Sequence, residues 1–193
     1  LDDDDFRTRE AATQELLQQE SLTPSAIARA YAKAQSAEQR YRLLMLAEHH
    51  FLRAQVARAF AGKQAASIGI SQEPVDRGEI PGGQQPGVRV VNTFIGMPAY
   101  PLLQPGDIIL SVNDKSVDPA TPTEAVPSAF AQLVQTHAAG QPATLTVLRG
   151  KERLQLKLTL SSIEALTALH EPGTGVVREP FRTRWENFRK QLV

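Results

Sequence analysis

A chain of 193 residues holds one domain, or one domain with a helical extension. Lys plus Arg and Asp plus Glu stand at 21 each, so the net charge is zero and the electrostatic footprint of a nucleic-acid or anionic-membrane binder is missing. Hydrophobic residues make up 41%, enough for an ordinary core, yet no apolar run approaches the roughly 20 residues that span a bilayer, and the absence of Cys excludes disulfide and thiol chemistry. The chain begins at Leu1 rather than Met, as a mature or trimmed form does, with any targeting peptide then removed.

The first sixty residues are rich in Ala, Leu, Gln, Arg and Glu and hold one Pro. Asp4 or Asp5 is placed to cap a helix reaching about Gln19, with Phe6, Ala12 and Leu16 inward. Thr23-Pro24 is a cap followed by Pro at the first helical position, opening a second helix with Ile27, Ala30, Tyr31 and Ala34. Ser36-Ala37-Glu38-Gln39 has capping-box spacing and opens a long third helix. Its apolar side carries Tyr41, Leu44, Ala47, Phe51, Val56 and Phe60, and Gly62 is its expected stop. Residues 1–62 thus read as a helical hairpin or three-helix bundle.

Composition then shifts. Ser67-Ile68-Gly69-Ile70-Ser71-Gln72 is an apolar segment interrupted by one Gly, which alone reads as an edge strand with a kink. Residues 74–86 are rich in Gly, Pro and Gln and read as a mobile loop. Leu103-Gln104-Pro105-Gly106-Asp107-Ile108-Ile109-Leu110-Ser111-Val112-Asn113 is the most informative stretch. Pro105-Gly106 forms a turn, Asp107 can bond back to its amides, and a buried strand follows. Asn113-Asp114 closes that strand, and Lys115-Ser116-Val117 begins a return. Residues 129–137 are a helix with Phe130, Leu133, Val134 and His137 at helical spacing. Residues 143–149 and 153–160 form a last hairpin. Ser161-Ser162-Ile163-Glu164 has capping-box spacing for a short helix to His170. After a loop, Pro180 opens a helix with Phe181, Trp185, Phe188 and Leu192 on one face. That stripe either docks on the protein's own core or forms a partner-binding or homo-oligomerising face.

The motif at 103–113 resembles that of bacterial PDZ domains of the HtrA and carboxyl-terminal processing protease type. The resemblance extends to Gly87-Val88-Arg89-Val90-Val91-Asn92-Thr93, to Gly96-Met97-Pro98-Ala99, and to Ile68-Gly69-Ile70, which looks like the family's carboxylate-binding loop. It covers residues 66–160. The chain departs from the pattern before Leu103, where it is one residue shorter and has Pro101-Leu102, which weighs against a connecting helix there. Arg9, Ala12 and Leu16 fall on the spacing of HEAT-like repeats, a pattern any Ala-rich amphipathic helix also produces.

The resemblance implies an α+β fold: a PDZ-like, partly open antiparallel β-barrel or sandwich with a groove helix. The helical segment precedes it, and residues 161–193 add a C-terminal helical extension. It also implies a peptide-binding site at Ser67, Ile68, Gly69, Ile70, Ser71, Gln72, Ala129, Phe130, Leu133 and His137. In that site Gly69 allows close approach and the guest adds as a strand beside residues 70–72. Which face of the 129–137 helix meets the guest stays open: part of the Phe130 stripe, or Ala129, Gln132 and Thr136.

Nothing in the residues points to catalysis, a metal or a cofactor. Neither a His-Glu-x-x-His nor a Gly-x-Ser-x-Gly pattern occurs, and His49, His50, His137 and His170 read as surface or packing residues. The expected function is a non-catalytic scaffold that captures a protein or peptide C-terminus in an extracytoplasmic, periplasmic setting. Two alternatives are a substrate-presenting part of an envelope serine protease, and a degenerate domain whose groove is filled by its own tail, residues 171–193.

Overall fold

The computed structural model describes residues 1, 3, 5–19, 21–60, 65–83, 85–172 and 174–192. Asp4 and Gly62, named above as a cap and a stop, lie outside them. The chain folds as an α+β protein with helices before and after its sheets.

Three helices come first: α1 (Phe6–Gln18), α2 (Pro24–Tyr31) and α3 (Ala37–Ala59). Each begins where side-chain chemistry satisfies its first amides. The Thr8 amide donates to Asp5, the Ala26 amide to Thr23, and Ser36 and Gln39 form a reciprocal capping box.

The inward faces differ from the apolar pattern. Phe6 is 60% exposed and Tyr41 65% exposed, whereas Thr13, Leu17, Arg42, Leu43 and Leu46 are buried; Ala47 and Val56 are buried as expected. The reason is a polar seam between α1 and α3. Arg42 donates to Glu10 at 2.9 Å, Glu38 at 3.0 Å and the Thr13 hydroxyl at 2.8 Å. Arg9 reaches the same Glu38 at 3.0 Å. A buried guanidinium needs such partners, and supplying them rotates both helices. Phe6 then lies on the outside, with the Arg9 and Arg42 guanidinium groups over its ring at 5.9 and 5.5 Å.

The strands are β1 (Ala66–Ser67), β2 (Ile70–Val75), β3 (Gly87–Thr93), β4 (Ile108–Val112), β5 (Lys115–Ser116), β6 (Pro142–Arg149), β7 (Glu152–Thr159) and β8 (Ser161–Ser162). The main sheet is antiparallel in the order β2-β3-β4-β6-β7, with β5 paired to β4, and it is open rather than closed. A second, two-stranded sheet pairs Ala66 with Ser162 and Ser67 with Ser161. Helix α4 (Val126–Gln135) lies against the main sheet and shares its core through Val126, Phe130 and Val134.

The Pro105-Gly106 turn is anchored as its chemistry predicts. Asp107, 2% exposed, accepts from the Gln104 amide at 2.9 Å. It also takes a bidentate pair from Arg149, Nε to Oδ1 at 2.8 Å and a terminal nitrogen to Oδ2 at 2.7 Å. Segment 94–103 forms successive turns rather than a connecting helix.

The 74–86 segment is not the free loop the composition suggested. Asp76 caps a short 3₁₀ turn at Arg77–Glu79. Ile80 is buried in a satellite core with Val75, Leu110 and Leu148, because a single large aliphatic residue is enough to pin the excursion to the sheet.

Two further helices close the chain. Ser162 caps α5 (Ile163–Leu169), and Pro180 sits in the first turn of α6 (Glu179–Arg189). The α6 stripe turns inward onto α3: Phe51 stands 5.8 Å from Trp185 and 5.0 Å from Phe188, ring centre to ring centre. Trp185 joins the core of the N-terminal helices with Leu17, Ile27 and Leu46. Another apolar cluster ties the helices to the sheet domain, uniting Leu52 and Val56 of α3, Phe94 and Met97, Ala165 and Leu169 of α5, and Phe181.

Three of the four histidines serve this packing. His49, His50 and His170 are buried; His50 meets the Leu16 carbonyl at 2.9 Å, and His170 meets the Ile95 carbonyl at 2.9 Å and the Gly175 carbonyl at 3.0 Å. Among the described residues no helix is long and apolar enough to cross a membrane.

Candidate functional site

Strand β2 borders the main sheet and pairs on one side only, with β3. Its other border faces α4. Hydrogen-bond register decides which of its groups point that way. The Phe94 amide donates to the Gly69 carbonyl at 3.1 Å, and Ile70 lies opposite Thr93. That pattern makes Ile70 and Thr93 a non-hydrogen-bonded pair, so the N–H and C=O of Ile70 point outward. An unpaired outward amide and carbonyl on a sheet border are the groups to which an extended guest bonds.

Around this border lies a groove of about 230 Å³. It is smaller than the roughly 300–1,000 Å³ of small-molecule sites and suits one side chain with the backbone that carries it. Ser67, Ile68, Gly69, Ile70 and Gln72 form one wall, and Phe130, Ala131, Val134 and Gln135 of α4 form the other. Ile163 and Leu166 of α5 stand at its end. None of the lining side chains is ionisable, so a guest carboxylate here has only main-chain amides and neutral polar groups to meet it.

The Ile68-Gly69 turn is tightly specified. The Ile68 carbonyl accepts from the Ala99 amide at 2.9 Å, and the Gly69 amide donates to the Ser67 hydroxyl at 3.2 Å. Gly69 has φ +78°, and a Cβ there would fall 2.2 Å from Cβ of buried Met97. Its lack of a side chain therefore serves packing against the 94–99 turn.

Away from that turn, β2 and α4 are tied across the groove. Gln72 Nε2 donates to the Pro127 carbonyl at 3.0 Å, and just beyond the two elements Thr123, in the turn before α4, donates to Asp76, after β2, at 3.0 Å. Gln72 Oε1 is buried without a partner. Register slips between Ser71 and Gln72 through a bulge, which turns Gln72 toward α4.

Of the residues expected at a site, Ser67, Ile68, Gly69, Ile70, Gln72 and Phe130 come together at the groove, while Ser71, Ala129, Leu133 and His137 do not line it. Ala129 and Leu133 pack against the main core. His137 is committed to a local bond. The Thr144 amide donates to Asn113 Oδ1 at 2.8 Å, so the Asn113 amide nitrogen is the donor to His137 Nε2, at 2.8 Å. The proton then sits on Nδ1, which faces the Leu133 carbonyl at 3.1 Å. Ala131, Gln135, Ile163 and Leu166 had no sequence signal. The groove face of α4 takes Phe130 and Val134 from its apolar stripe and Ala131 and Gln135 from beside it, and the β1–β8 pairing brings α5 to the groove. Among the described residues of 171–193, none lines the groove.

A search of curated proteins finds no match. Among solved structures, the HtrA-type protease AlgW with decapeptide is similar, at 19% identity and a TM-score of 0.39, covering 57% of this chain and 33% of that one. AlgW with tripeptide gives 19% identity and a TM-score of 0.38, covering 56% and 36%. The matched region is thus about a third of the length of those proteases. The family match is specific in extent: residues 66–160 match the PDZ domain. With its Pro-Gly-Asp turn, open β2 border and facing α4, the segment 66–160 is a PDZ domain.

Proposed function

We propose that this protein is a non-catalytic peptide-binding scaffold that takes a protein C-terminus into the β2–α4 groove by strand addition. The outward N–H and C=O of Ile70 on an otherwise unpaired border carry this reading. A guest strand bonds there, its carboxylate lies at the Ile68-Gly69-Ile70 turn, and its last side chain enters the apolar pocket. Each net main-chain bond contributes roughly 0.5–1.5 kcal/mol and the buried aliphatic side chain about 1.5–3 kcal/mol, so two such bonds and one side chain give weak binding, roughly millimolar and at best tens of micromolar. The Gln72–Pro127 bond crosses the groove and limits the closely held part of the guest to its last few residues. An extracytoplasmic, bacterial setting accompanies the reading and rests on resemblance alone.

The test is an NMR titration of the ¹⁵N-labelled full chain with a pentapeptide pool ending in Val, as free acid and as amide. The free acid should move the Gly69 and Ile70 amide resonances saturably. The amide should bind at least about tenfold more weakly, a loss of about 1.4 kcal/mol. Equal binding of acid and amide would remove terminal capture; no saturable binding would remove the reading altogether.

A further inference from the structure

The groove does not end within the PDZ domain. Two of its lining residues, Ile163 and Leu166, belong to α5, beyond residue 160 where the family match stops. They reach the groove because β8 pairs with β1, the strand that leads into the Ile68-Gly69 turn. The Ile163 amide donates to the Ala65 carbonyl at 2.9 Å, and Ser162 caps α5 by accepting from the Ala165 amide at 3.0 Å. The opposite face of the helix is fixed too. Ala165 and Leu169, 1% and 0% exposed, belong to the cluster with Leu52 and Val56 of α3 and with Met97, the residue that packs on Gly69. A wall held from both sides cannot recede to accommodate a larger guest.

We infer that α5 acts as the end wall of the terminal pocket, and that Leu166 and Ile163 set the size of the last guest residue, selecting peptides that end in a medium aliphatic side chain. This rests on the peptide-capture reading above. The apolar character of the selection follows from the lining: Ile70, Phe130, Val134, Ile163 and Leu166 meet the guest with carbon, and no ionisable side chain is present to recognise a charged last side chain. The size limit follows from the volume of about 230 Å³, which the guest's backbone and side chain must share. One methylene too many or too few in such a pocket changes binding by roughly 10–200-fold.

The experiment titrates the full chain with four free-acid pentapeptide pools ending in Ala, Val, Leu or Phe, then repeats it with Leu166→Ala and Ile163→Ala. The wild-type chain should prefer Val or Leu over Phe. Leu166→Ala should shift the ratio of Val to Phe affinities toward Phe by roughly tenfold. Leu166 also packs on the cluster with Leu52, so thermal melting accompanies each titration. Should Leu166→Ala fail to fold, Ile163→Ala and the milder truncation Leu166→Val supply the readout, since each enlarges the pocket and should still shift the ranking toward Phe. Wild-type selectivity left unchanged by the folded variants overturns this inference and leaves peptide capture standing. A wild-type chain that binds none of the four pools overturns both.

Discussion

Met97 occupies the space that any side chain at Gly69 would need: a Cβ built on Gly69 lies 2.2 Å from Met97 Cβ and 2.6 Å from its Cγ. The turn that begins the groove is therefore shaped by the core beneath it. Gly69→Ala should lose stability through both the positive φ and the collision. Gly106, at φ +94° with open space around it, serves as the control. Gly106→Ala should cost about 1–2 kcal/mol, the ordinary penalty of a left-handed conformation. Gly69→Ala should cost a further 1–3 kcal/mol or so from overpacking. Urea midpoints of the two variants read the difference, and equal midpoints would show that Met97 gives way freely.

His137 tests the division between groove and scaffold. Its imidazole is held between Asn113 and the Leu133 carbonyl, away from the groove lining. His137→Ala should lower stability by about 1 kcal/mol through the lost hydrogen bond. Peptide affinity should stay within about twofold, well under the tenfold that 1.4 kcal/mol of lost contact would produce. A tenfold loss of peptide affinity in a stably folded variant would put His137 back among the binding residues.

Acid should weaken the fold through His49. This residue is 1% exposed; burial, then the charges of His50 and Arg53, lower its pKa to about 3. Its Nδ1 accepts the Gly96 amide at 3.2 Å, a bond that protonation there would replace with two opposed donors. An unfolded histidine titrates near 6.5, so below that pH the unfolded state binds the extra proton. The stabilisation is complete above about pH 6.5 and is lost as pH falls toward 3, at up to about 1.4 kcal/mol per pH unit. The effect is read most cleanly between pH 7 and 5, before most carboxylates protonate. Urea unfolding across that window should show the slope, and His49→Gln, which retains an acceptor for Gly96, should reduce it by up to about 1.4 kcal/mol per pH unit, leaving the part due to His50 and His170, whose pKa values burial also lowers.

Trp185 is the chain's single tryptophan and lies 6% exposed against Phe51 and Phe188. Its emission therefore reports the docking of α6 on α3. Phe51 is partly buried, so Phe51→Ala should shift that emission to the red and cost about 2–3 kcal/mol, below the roughly 3–5 kcal/mol of a fully buried aromatic side chain. Emission unchanged from wild type would mean that α6 holds its place without Phe51.

What was legible beforehand was local. Caps at Thr23 and Ser36, the Pro105-Gly106 turn with its Asp107 bonds, and the strand 108–112 all depend on neighbours a few residues apart, whereas the cap of α5 falls on Ser162, one residue after the Ser161 of the capping-box spacing. The aromatic stripe of α6 was legible as a stripe, though not which surface it would meet. Tertiary structure decided the rest. The inward faces of α1 and α3 turned on Arg42 finding Glu10 and Glu38, partners 32 and 4 residues away. The groove wall turned on a two-residue strand pair, Ala66–Ser162 and Ser67–Ser161, bringing α5 beside the Gly69 turn. Periodicity identifies an apolar face but carries no information about which distant element covers it, because hydrophobic burial is non-directional. Direction comes from hydrogen bonds and ion pairs between segments far apart in the chain, and those exist only once the chain has folded.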